Sequence, residues 1–311
     1  MKPLNLVPVK PNLNFIGRKK VFFVFSTLLV LIAVGLFLTR GLNYGIDFQG
    51  GILIEVRMPE AGKLAEIRSN LSGLGLGEVA LQEFGQPTDI LIRVQKQPGG
   101  EKAQQAAVEK VKTALGDGVD YRRTEFVGPQ VSRELFRDGV IAVVLAMLGI
   151  LAYIWFRFEW QFGLGAIVAL LHDVLTTIGI FALTGLEFNL STVAAILTIA
   201  GYSINDTVVV YDRVRENLRR YKTMPLPELL NNSINETLSR TVMTSVTTLI
   251  ALLSLYILGG EVIRGFSFAL IWGVLIGTYS SVCVAVPLLL HLDVNRGVQS
   301  GGSGEQAAPA E

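Results

Sequence analysis

Cysteine and histidine are nearly absent: the 311-residue sequence contains one Cys and two His. Cys283 has no partner for a disulfide within the chain, and because it falls in an apolar segment we expect a structural thiol. His172 and His291 are too few, and too far apart in sequence, for a multi-histidine metal site. The sequence therefore predicts neither a metal nor a cofactor.

An excess of either charge is also missing, since 27 Lys and Arg oppose 26 Asp and Glu. This balance gives no reason to expect nucleic acid as a partner, or an acidic substrate. Charged residues make up 17% of the chain and hydrophobic residues 50%, and the mean hydropathy is +0.48. A soluble globular chain needs less apolar material to cover one core, so we expect an integral membrane protein.

Six apolar stretches approach the ~20 residues that a helix needs to cross the hydrocarbon core. The first lacks a following small-residue cleavage site and therefore reads as an uncleaved anchor. The polar residues 40–138 separate it from the other five, which follow one another closely, so the predicted α-helical plan is 1 + 5. The predicted transmembrane helices are Val21 to Thr39, Gly139 to Phe156, Gly163 to Thr184, Leu190 to Val210, Val242 to Leu258 and Phe266 to Leu290, the last five within residues 139–290.

Lysine and arginine in short flanks predict the orientation, because they stay preferentially on the cytoplasmic side. They gather before the first span and after the fourth. This pattern places the N-terminal residues 1–20 and the tail, residues 291–311, in the cytoplasm, and residues 40–138 outside it. The tail contains "SGGSGEQAAPAE" and is predicted to be flexible. The cations concerned are Lys2, Lys10, Arg18, Lys19 and Lys20, and then Arg213, Arg215, Arg219, Arg220 and Lys222.

The polar insert alternates strand and helix patterns in the order β-α-β-β-α-β. That order predicts a ferredoxin-like α+β domain, in which four strands carry two helices on one face. The insert contains no His or Cys, so we interpret it as a binding or mechanical module. Its predicted elements are the strand "GGILIEVRM", the helix Ala61 to Leu74, the strands "EVALQEF" and "DILIRVQ" around a Gly-Gln-Pro turn, the helix Glu101 to Leu115 and the strand "VDYRRTEFV".

An acidic residue, Asp206, interrupts the fourth predicted span. Tyr202, Ser203 and Asp206 lie three and four residues apart and share one helix face, with Gly201 and Asn205 along its margin. A charge at the bilayer centre costs from about 3 to more than 10 kcal/mol, so this face is expected to turn toward a bundle interior, a water cavity or a partner.

Two other spans carry matching polar stripes at helical spacing. Arg240 opens the fifth span and is the natural counter-charge for Asp206. Because arginine keeps its proton in proteins, the carboxylate is the member of this pair that titrates, as in a proton relay. The stripes are His172, Asp173, Thr176, Thr177, Ile180 and Thr184 in the third span, and Thr237, Arg240, Thr241, Thr244, Ser245 and Thr248 in the fifth.

Polar residues in membrane helices also serve as interhelical glue, and for Thr176, Thr244, Thr248 and Ser254 that interpretation stays open. The small residues Gly273, Gly277 and Ser281 are explained by close helix packing alone. Two enzyme classes are set aside. The His172-Asp173 pair lacks further metal ligands, and the Gly-x-Gly-Asp element of intramembrane aspartic proteases is missing. We expect a protein that is not an enzyme and has no catalytic residues.

Four motifs closely resemble the SecF family, whose members are subunits of the SecDF protein-export complex within the resistance-nodulation-division superfamily. They are "GIDFQGG" (45–51), "LLHDVLTTIG" (170–179), "AGYSINDTVVVYDRVREN" (200–217) and "LSRTVMTSVTTL" (238–249). The resemblance implies a bacterial inner-membrane protein that pairs with SecD. It further implies association with the SecYEG channel and the SecA motor, and use of protons to promote preprotein translocation and release on the outer side.

The resemblance also implies roles for particular residues. Asp206 and Arg240 match the residues implicated in proton conduction. The polar stripes, independently of the resemblance, predict a supporting network of Asp173, His172, Asn205, Ser203 and Thr244. Asp47, Phe48, Gly50 and Gly51 match the family motif at the membrane exit. For the glycines a plain need for close backbone approach remains an alternative.

Two other functions stay open. The first is a proton-driven exporter of lipids or small molecules, which would need a substrate cavity and a second copy of the chain. The second is a structural scaffold of the translocon without ion flux.

Overall fold

The computed structural model describes residues 11–60, 64–77, 79–116, 118–292 and 294. It consists of six long helices and a small sheet domain. The elements are α1 Lys19–Arg40, β1 Asn43–Tyr44, α2 Ile46–Gln49, β2 Gly51–Arg57, α3 Leu64–Ser72, β3 Val79–Phe84, β4 Gln86–Val94, α4 Glu101–Leu115, β5 Asp120–Val127, α5 Pro129–Arg157, α6 Trp160–Thr184, β6 Glu187–Phe188, α7 Leu190–Arg220, α8 Leu226–Leu258, α9 Glu261–Ser280 and α10 Val286–Leu288. Lys2, Lys10 and, in the predicted tail, residues 293 and 295–311 lie outside the described residues.

Six helices in the described part are long and apolar enough to cross a membrane, as predicted, so the chain is a multi-pass membrane protein. Several are longer than their predicted spans. The second begins at Pro129, the fourth ends at Arg220 and the fifth begins at Leu226. Counting apolar residues finds only the part of a helix that lies in hydrocarbon. The backbone hydrogen bonds continue into the polar layers on either side.

Helices α6, α7 and α9 form the centre of the bundle, and α1 and α5 lie at its periphery with most side chains exposed. Small residues allow the central helices to approach closely. A Cβ added at Gly277 of α9 would lie 3.0 Å from Ser203 Cβ of α7. Directly after α9 the chain forms a π-helix, Ser281–Ala285, before α10. The small-residue ridge of the sixth span therefore packs against the fourth, as its composition indicated.

The domain between α1 and α5 has the predicted order of elements, β2-α3-β3-β4-α4-β5. Its sheet is antiparallel, with the spatial order β3-β4-β2-β5. One sheet face packs its alternate apolar residues, such as Ile54 and Ile92, against Leu71 of α3 and Val111 of α4. The predicted Gly-Gln-Pro turn is tighter than expected, because β4 already begins at Gln86. The first three residues of the predicted helix from Ala61 lie outside the described residues.

A junction between the domain and the bundle was not predicted from the sequence. The two-residue strands β1 and β6 pair in parallel, with Asn43 opposite Glu187. Arg93, on the sheet face away from α3 and α4, forms an ion pair with Glu187 and donates a hydrogen bond to Asn43 Oδ1 at 2.9 Å. The domain is thus tied to the connection between α6 and α7 as well as to the chain on either side of it.

Candidate functional site within the membrane bundle

Asp206 is buried in α7, with 3% of its surface exposed. Its Oδ2 atom has no hydrogen-bond partner among the described residues. A buried polar atom without a partner costs about 1–3 kcal/mol, and native structures retain few of them. The prediction that this carboxyl faces the bundle interior agrees with its burial, and its unpaired oxygen marks it as a functional candidate.

Arg240 lies on the exposed side of α8. Within the described part of the chain, no hydrogen bond joins it to Asp206, and no ion pair within 4.0 Å does so. Its positive charge nevertheless acts electrostatically on Asp206 from farther away. The two groups that the sequence paired therefore interact at a distance and are not in direct contact.

Asp173 of α6 is the centre of a fully buried polar cluster that joins three helices. Ser203 Oγ of α7 and Ser280 Oγ of α9 donate hydrogen bonds to its Oδ2, at 2.6 and 2.7 Å. Its Oδ1 lies 2.9 Å from Nδ1 of His172. The carboxyl is 0% exposed. Two neighbours on the same helix, Thr176 and Thr177, donate their hydroxyl protons to the main-chain oxygen of Asp173.

Three predicted members of the network, His172, Asp173 and Ser203, thus lie together. Ser280 was missed, although a serine pair in an otherwise apolar helix is a signal that sequence inspection can use. Its neighbour Ser281 has its Oγ 2.8 Å from Thr207 Oγ1, which immediately follows Asp206 in α7. The line of hydroxyl groups therefore runs from Asp173 to the turn that carries Asp206.

Asn205 and Thr244, also predicted for this network, lie elsewhere. Asn205 is exposed on α7, on the same side as Gly201 and Thr198, because its position is rotated away from the buried face. The Thr244 hydroxyl donates to the main-chain oxygen of Thr241 at 2.9 Å, within its own helix. Thr241 Oγ1 is itself buried without a partner among the described residues.

The membrane-exit motif lies at the junction between the domain and the bundle. Asp47 Oδ2 accepts a hydrogen bond from the backbone N–H of Leu190, the first residue of α7, at 2.9 Å. A carboxylate there satisfies a free donor and complements the positive end of the helix dipole. Phe48 packs among three other aromatic rings. These are Tyr44, Phe136 and Phe188.

Both glycines of this motif have backbone reasons to be glycine. Gly50 and Gly51 have φ angles of +72° and +129°, which L-residues with a side chain rarely adopt. A Cβ at Gly51 would lie 2.6 Å from the main-chain oxygen of Val94. The close approach of strands β2 and β4 therefore requires glycine at this position.

Two family models match most of the chain. "Protein export membrane protein SecD/SecF, C-terminal" matches residues 107–295, and "SecD/SecF GG Motif" matches residues 35–58. The protein translocase subunit SecF of Cereibacter sphaeroides is 49% identical over 94% of this chain and 94% of its own length. This chain belongs to the SecF family. SecF of Rickettsia rickettsii is 47% identical over 94% of this chain and 96% of its own length. The resemblance drawn from the four motifs is thus confirmed.

Two solved SecDF structures share the fold of this SecF-family chain. The crystal structure of SecDF, a translocon-associated membrane protein from Thermus thermophilus, matches with a TM-score of 0.84 at 38% identity. A SecDF structure in a super-membrane-facing form matches with a TM-score of 0.67 at 37% identity. Each match covers 93% of this chain and 39% of the solved chain, so this chain spans well under half of those SecDF chains.

The site residues lie inside the matched regions. Asp173, Asp206 and Arg240 fall within residues 107–295, and the membrane-exit motif falls within residues 35–58. The relatives' names describe translocase subunits, which is a role in transport. In the described part of the chain, no three His, Cys, Asp or Glu side chains are grouped so that they could hold a metal ion.

Proposed function

We propose that this chain pairs with SecD and uses the proton-motive force to promote preprotein translocation, with Asp206 as the group that takes up and releases the proton. It would act after SecA has driven the preprotein through SecYEG, and it would help to release the preprotein on the outer side. The observation that carries the proposal is the buried Asp206 oxygen without a hydrogen-bond partner, close to a separated arginine.

The separation of Asp206 and Arg240 lets the binding of one proton change the attraction between the helices that carry them. An ionised Asp206 attracts Arg240, and a protonated one does not. Because the two groups sit on neighbouring helices and are not in contact, an ionised Asp206 would draw Arg240 toward it and a protonated one would release it. One proton crossing the membrane releases about 2.3 kcal/mol per 100 mV, which is enough to shift a helix-packing equilibrium.

The junction supplies a route from Asp206 to the outer domain. Asp47 holds the first turn of the helix that carries Asp206, and Arg93 bonds the sheet to the preceding connection. A movement of α7 would therefore pull on the domain. The two SecDF structures match this chain over the same share and at nearly equal identity but with TM-scores of 0.84 and 0.67, as expected if this fold adopts more than one arrangement.

The remaining expectations belong to the same proposal. Both ends of the chain would be cytoplasmic, in the inner membrane of a bacterium, and residues 40–138 would form a ferredoxin-like domain outside. The antiparallel sheet, with its strands in the spatial order β3-β4-β2-β5, supports that class of domain. The exposed polar side of α7, with Thr198 and Asn205, and the exposed Arg240 would face SecD, since polar side chains avoid lipid. The other partners would be protons and membrane lipid, without nucleic acid, and the chain would not be an enzyme.

The test is Asp206→Asn in the complex with SecD, reconstituted with SecYEG and SecA in proteoliposomes. Translocation is measured as protease-protected preprotein, with and without a protonophore. We expect Asp206→Asn to lose the protonophore-sensitive share and to keep the share driven by ATP, because an amide cannot exchange the proton. Arg240→Gln should lose the same share.

The matched control is Asp138→Asn, which removes an exposed carboxylate that pairs only with its neighbour Arg137 in the described contacts. It should translocate like the wild type. Full protonophore-sensitive translocation by Asp206→Asn would refute the relay. A pH dye in the vesicle lumen tests the scaffold alternative, because a scaffold leaves the lumenal pH unchanged. Omitting SecD tests the exporter alternative, because an exporter would function as a homodimer without it.

A further inference from the structure

A cleft rich in arginine lies at the end of the bundle away from the sheet domain. It has a volume of about 500 Å³ and lies where α5 ends and α7 extends past the predicted span. Four arginines and two carboxylates line it, which leaves a net charge of +2. The lining residues are Arg157, Asp212, Arg215, Glu216, Arg219 and Arg220.

The depth of this cleft corresponds to the lipid headgroups. About 20 residues of helix cross the hydrocarbon core, and α7 starts at Leu190 at the opposite boundary, so its residues after Val210 lie beyond the core. The aromatic side chains around the end of α5 support this level. Trp155, Phe156 and Trp160 are 72%, 94% and 60% exposed, as expected of rings that lie among headgroups and upper acyl chains.

Two of the arginines are held in place before any ligand binds. Arg157 donates hydrogen bonds to both carboxylate oxygens of Asp212, at 2.9 and 3.1 Å. The guanidinium groups of Arg157 and Arg215 both pack over the Phe158 ring, 5.0 and 5.3 Å from its centroid. Arg215 also donates to the main-chain oxygen of Arg157 at 3.2 Å. Restrained guanidinium groups lose less entropy when they bind phosphate oxygens.

The other two arginines supply charge that the protein itself does not neutralise by contact. Arg219 and Arg220 are exposed in the last turn of α7, and in the described part of the chain neither forms an ion pair. Arg220 packs over the Tyr221 ring. By contrast, Arg213 of the same helix pairs with Glu216 and Glu236 and does not line the cleft.

We propose that this cleft binds the headgroup of an anionic phospholipid, such as phosphatidylglycerol or cardiolipin, in the leaflet opposite the sheet domain. Arginine forks match phosphate oxygens, and basic pockets between membrane helices at this level suit such headgroups. The exposed apolar surface of α5 beside the cleft would accommodate the acyl chains. An acidic protein segment would use the arginines but not this apolar surface.

The experiment measures lipid binding to the full purified chain in detergent by native mass spectrometry. The probes are cardiolipin, phosphatidylglycerol, zwitterionic phosphatidylcholine and inorganic phosphate. The variant is R219Q/R220Q, which removes charge without removing the Arg157–Asp212 pair. R68Q/R133Q removes two exposed arginines elsewhere, and R219K/R220K keeps the charge.

We expect the anionic lipids to bind more tightly than phosphatidylcholine. R219Q/R220Q should lower the affinity for the anionic lipids on the order of tenfold. R68Q/R133Q should bind like the wild type, and R219K/R220K should bind nearly as well. Wild-type affinity in R219Q/R220Q would overturn the proposal, as would equal losses in R219Q/R220Q and R68Q/R133Q. Competition by inorganic phosphate at concentrations comparable to the lipid would also overturn it, since the ligand would then be free phosphate.

Discussion

Two carboxyl groups within the bundle, Asp173 and Asp206, are buried to nearly the same extent but differ in what surrounds them. Asp173 has two serine hydroxyls and one imidazole nitrogen within hydrogen-bond distance. Asp206 has an oxygen without a partner among the described residues, and its arginine is not in contact. Ser203 and Asp206 are one helical turn apart, so depth in the membrane does not cause this difference.

The difference indicates separate roles. A carboxyl with all its partners in place on three helices holds those helices together, and any rearrangement would break its bonds. A carboxyl without them is free to change its protonation and its neighbours at less cost. Under the function proposed above, Asp173 would stabilise the bundle and Asp206 would be the group that switches.

The largest expected effect comes from replacing each carboxyl by leucine. Asp173→Leu removes the carboxyl partner of Ser203, Ser280 and His172, leaving Ser280 only a longer bond of 3.2 Å to Gly277 O, and should destabilise the chain by about 3 kcal/mol or more. Asp206→Leu removes a polar atom that already lacks a partner, and should change stability by less than about 1 kcal/mol. Thermal unfolding of the detergent-solubilised chain measures both. Equal losses would remove the distinction between the two carboxyls.

An intermediate effect is expected from the serines that surround Asp173. Ser280→Ala removes one of three partners of the carboxyl and should cost about 1 kcal/mol, as interhelical hydrogen bonds do. Ser254→Ala is the control, since that exposed hydroxyl donates only within its own helix in the described contacts. A Ser280→Ala chain that melts like the Ser254→Ala chain would show that the Asp173 cluster contributes little.

The smallest effect concerns a third carboxyl, Asp89 of the sheet domain, which has its arginine in contact. Arg57 donates two hydrogen bonds to it, at 2.6 and 2.8 Å, and thereby lowers the pKa of Asp89 below its ordinary value of 3.8. A lowered pKa stabilises the fold above the unfolded-state value, and this stabilisation is lost as the pH falls through the folded value.

Asp89→Asn should therefore lower the melting temperature at pH 7, but by less than Ser280→Ala does, since the Arg57 side chain is 40% exposed and solvent screens the ion pair. The gap between variant and wild type should narrow as the pH falls below 3.8 and should close once the pH is below the lowered pKa of Asp89. A gap that is independent of pH would show that packing, rather than the ion pair, is responsible.

Much of the fold follows from local patterns. The six spans follow from apolar length, and the order of the domain's elements from the alternation of strand and helix periods. The two glycines of the membrane-exit motif were identified from the motif alone. Asn205 shows the limit of such reasoning: it borders the stripe of Asp206 on a helical projection, yet the structure has it exposed, because the exact rotation of α7 depends on how α9 packs against it.

By itself the sequence determined which residues are too polar for lipid, and so that Asp173, Asp206 and Arg240 belong to a function or a contact. Only the tertiary structure decided that both oxygens of Asp173 have hydrogen-bond partners and that Oδ2 of Asp206 has none among the described residues. It also decided that Ser280 bonds to Asp173 and that Arg93 and Glu187 join the sheet domain to the bundle. The physical reason is the distance along the chain over which each kind of interaction acts. Hydrophobic periodicity acts within one helix, whereas hydrogen-bond partners come from helices far apart in the chain, and their distances depend on packing that no single segment encodes.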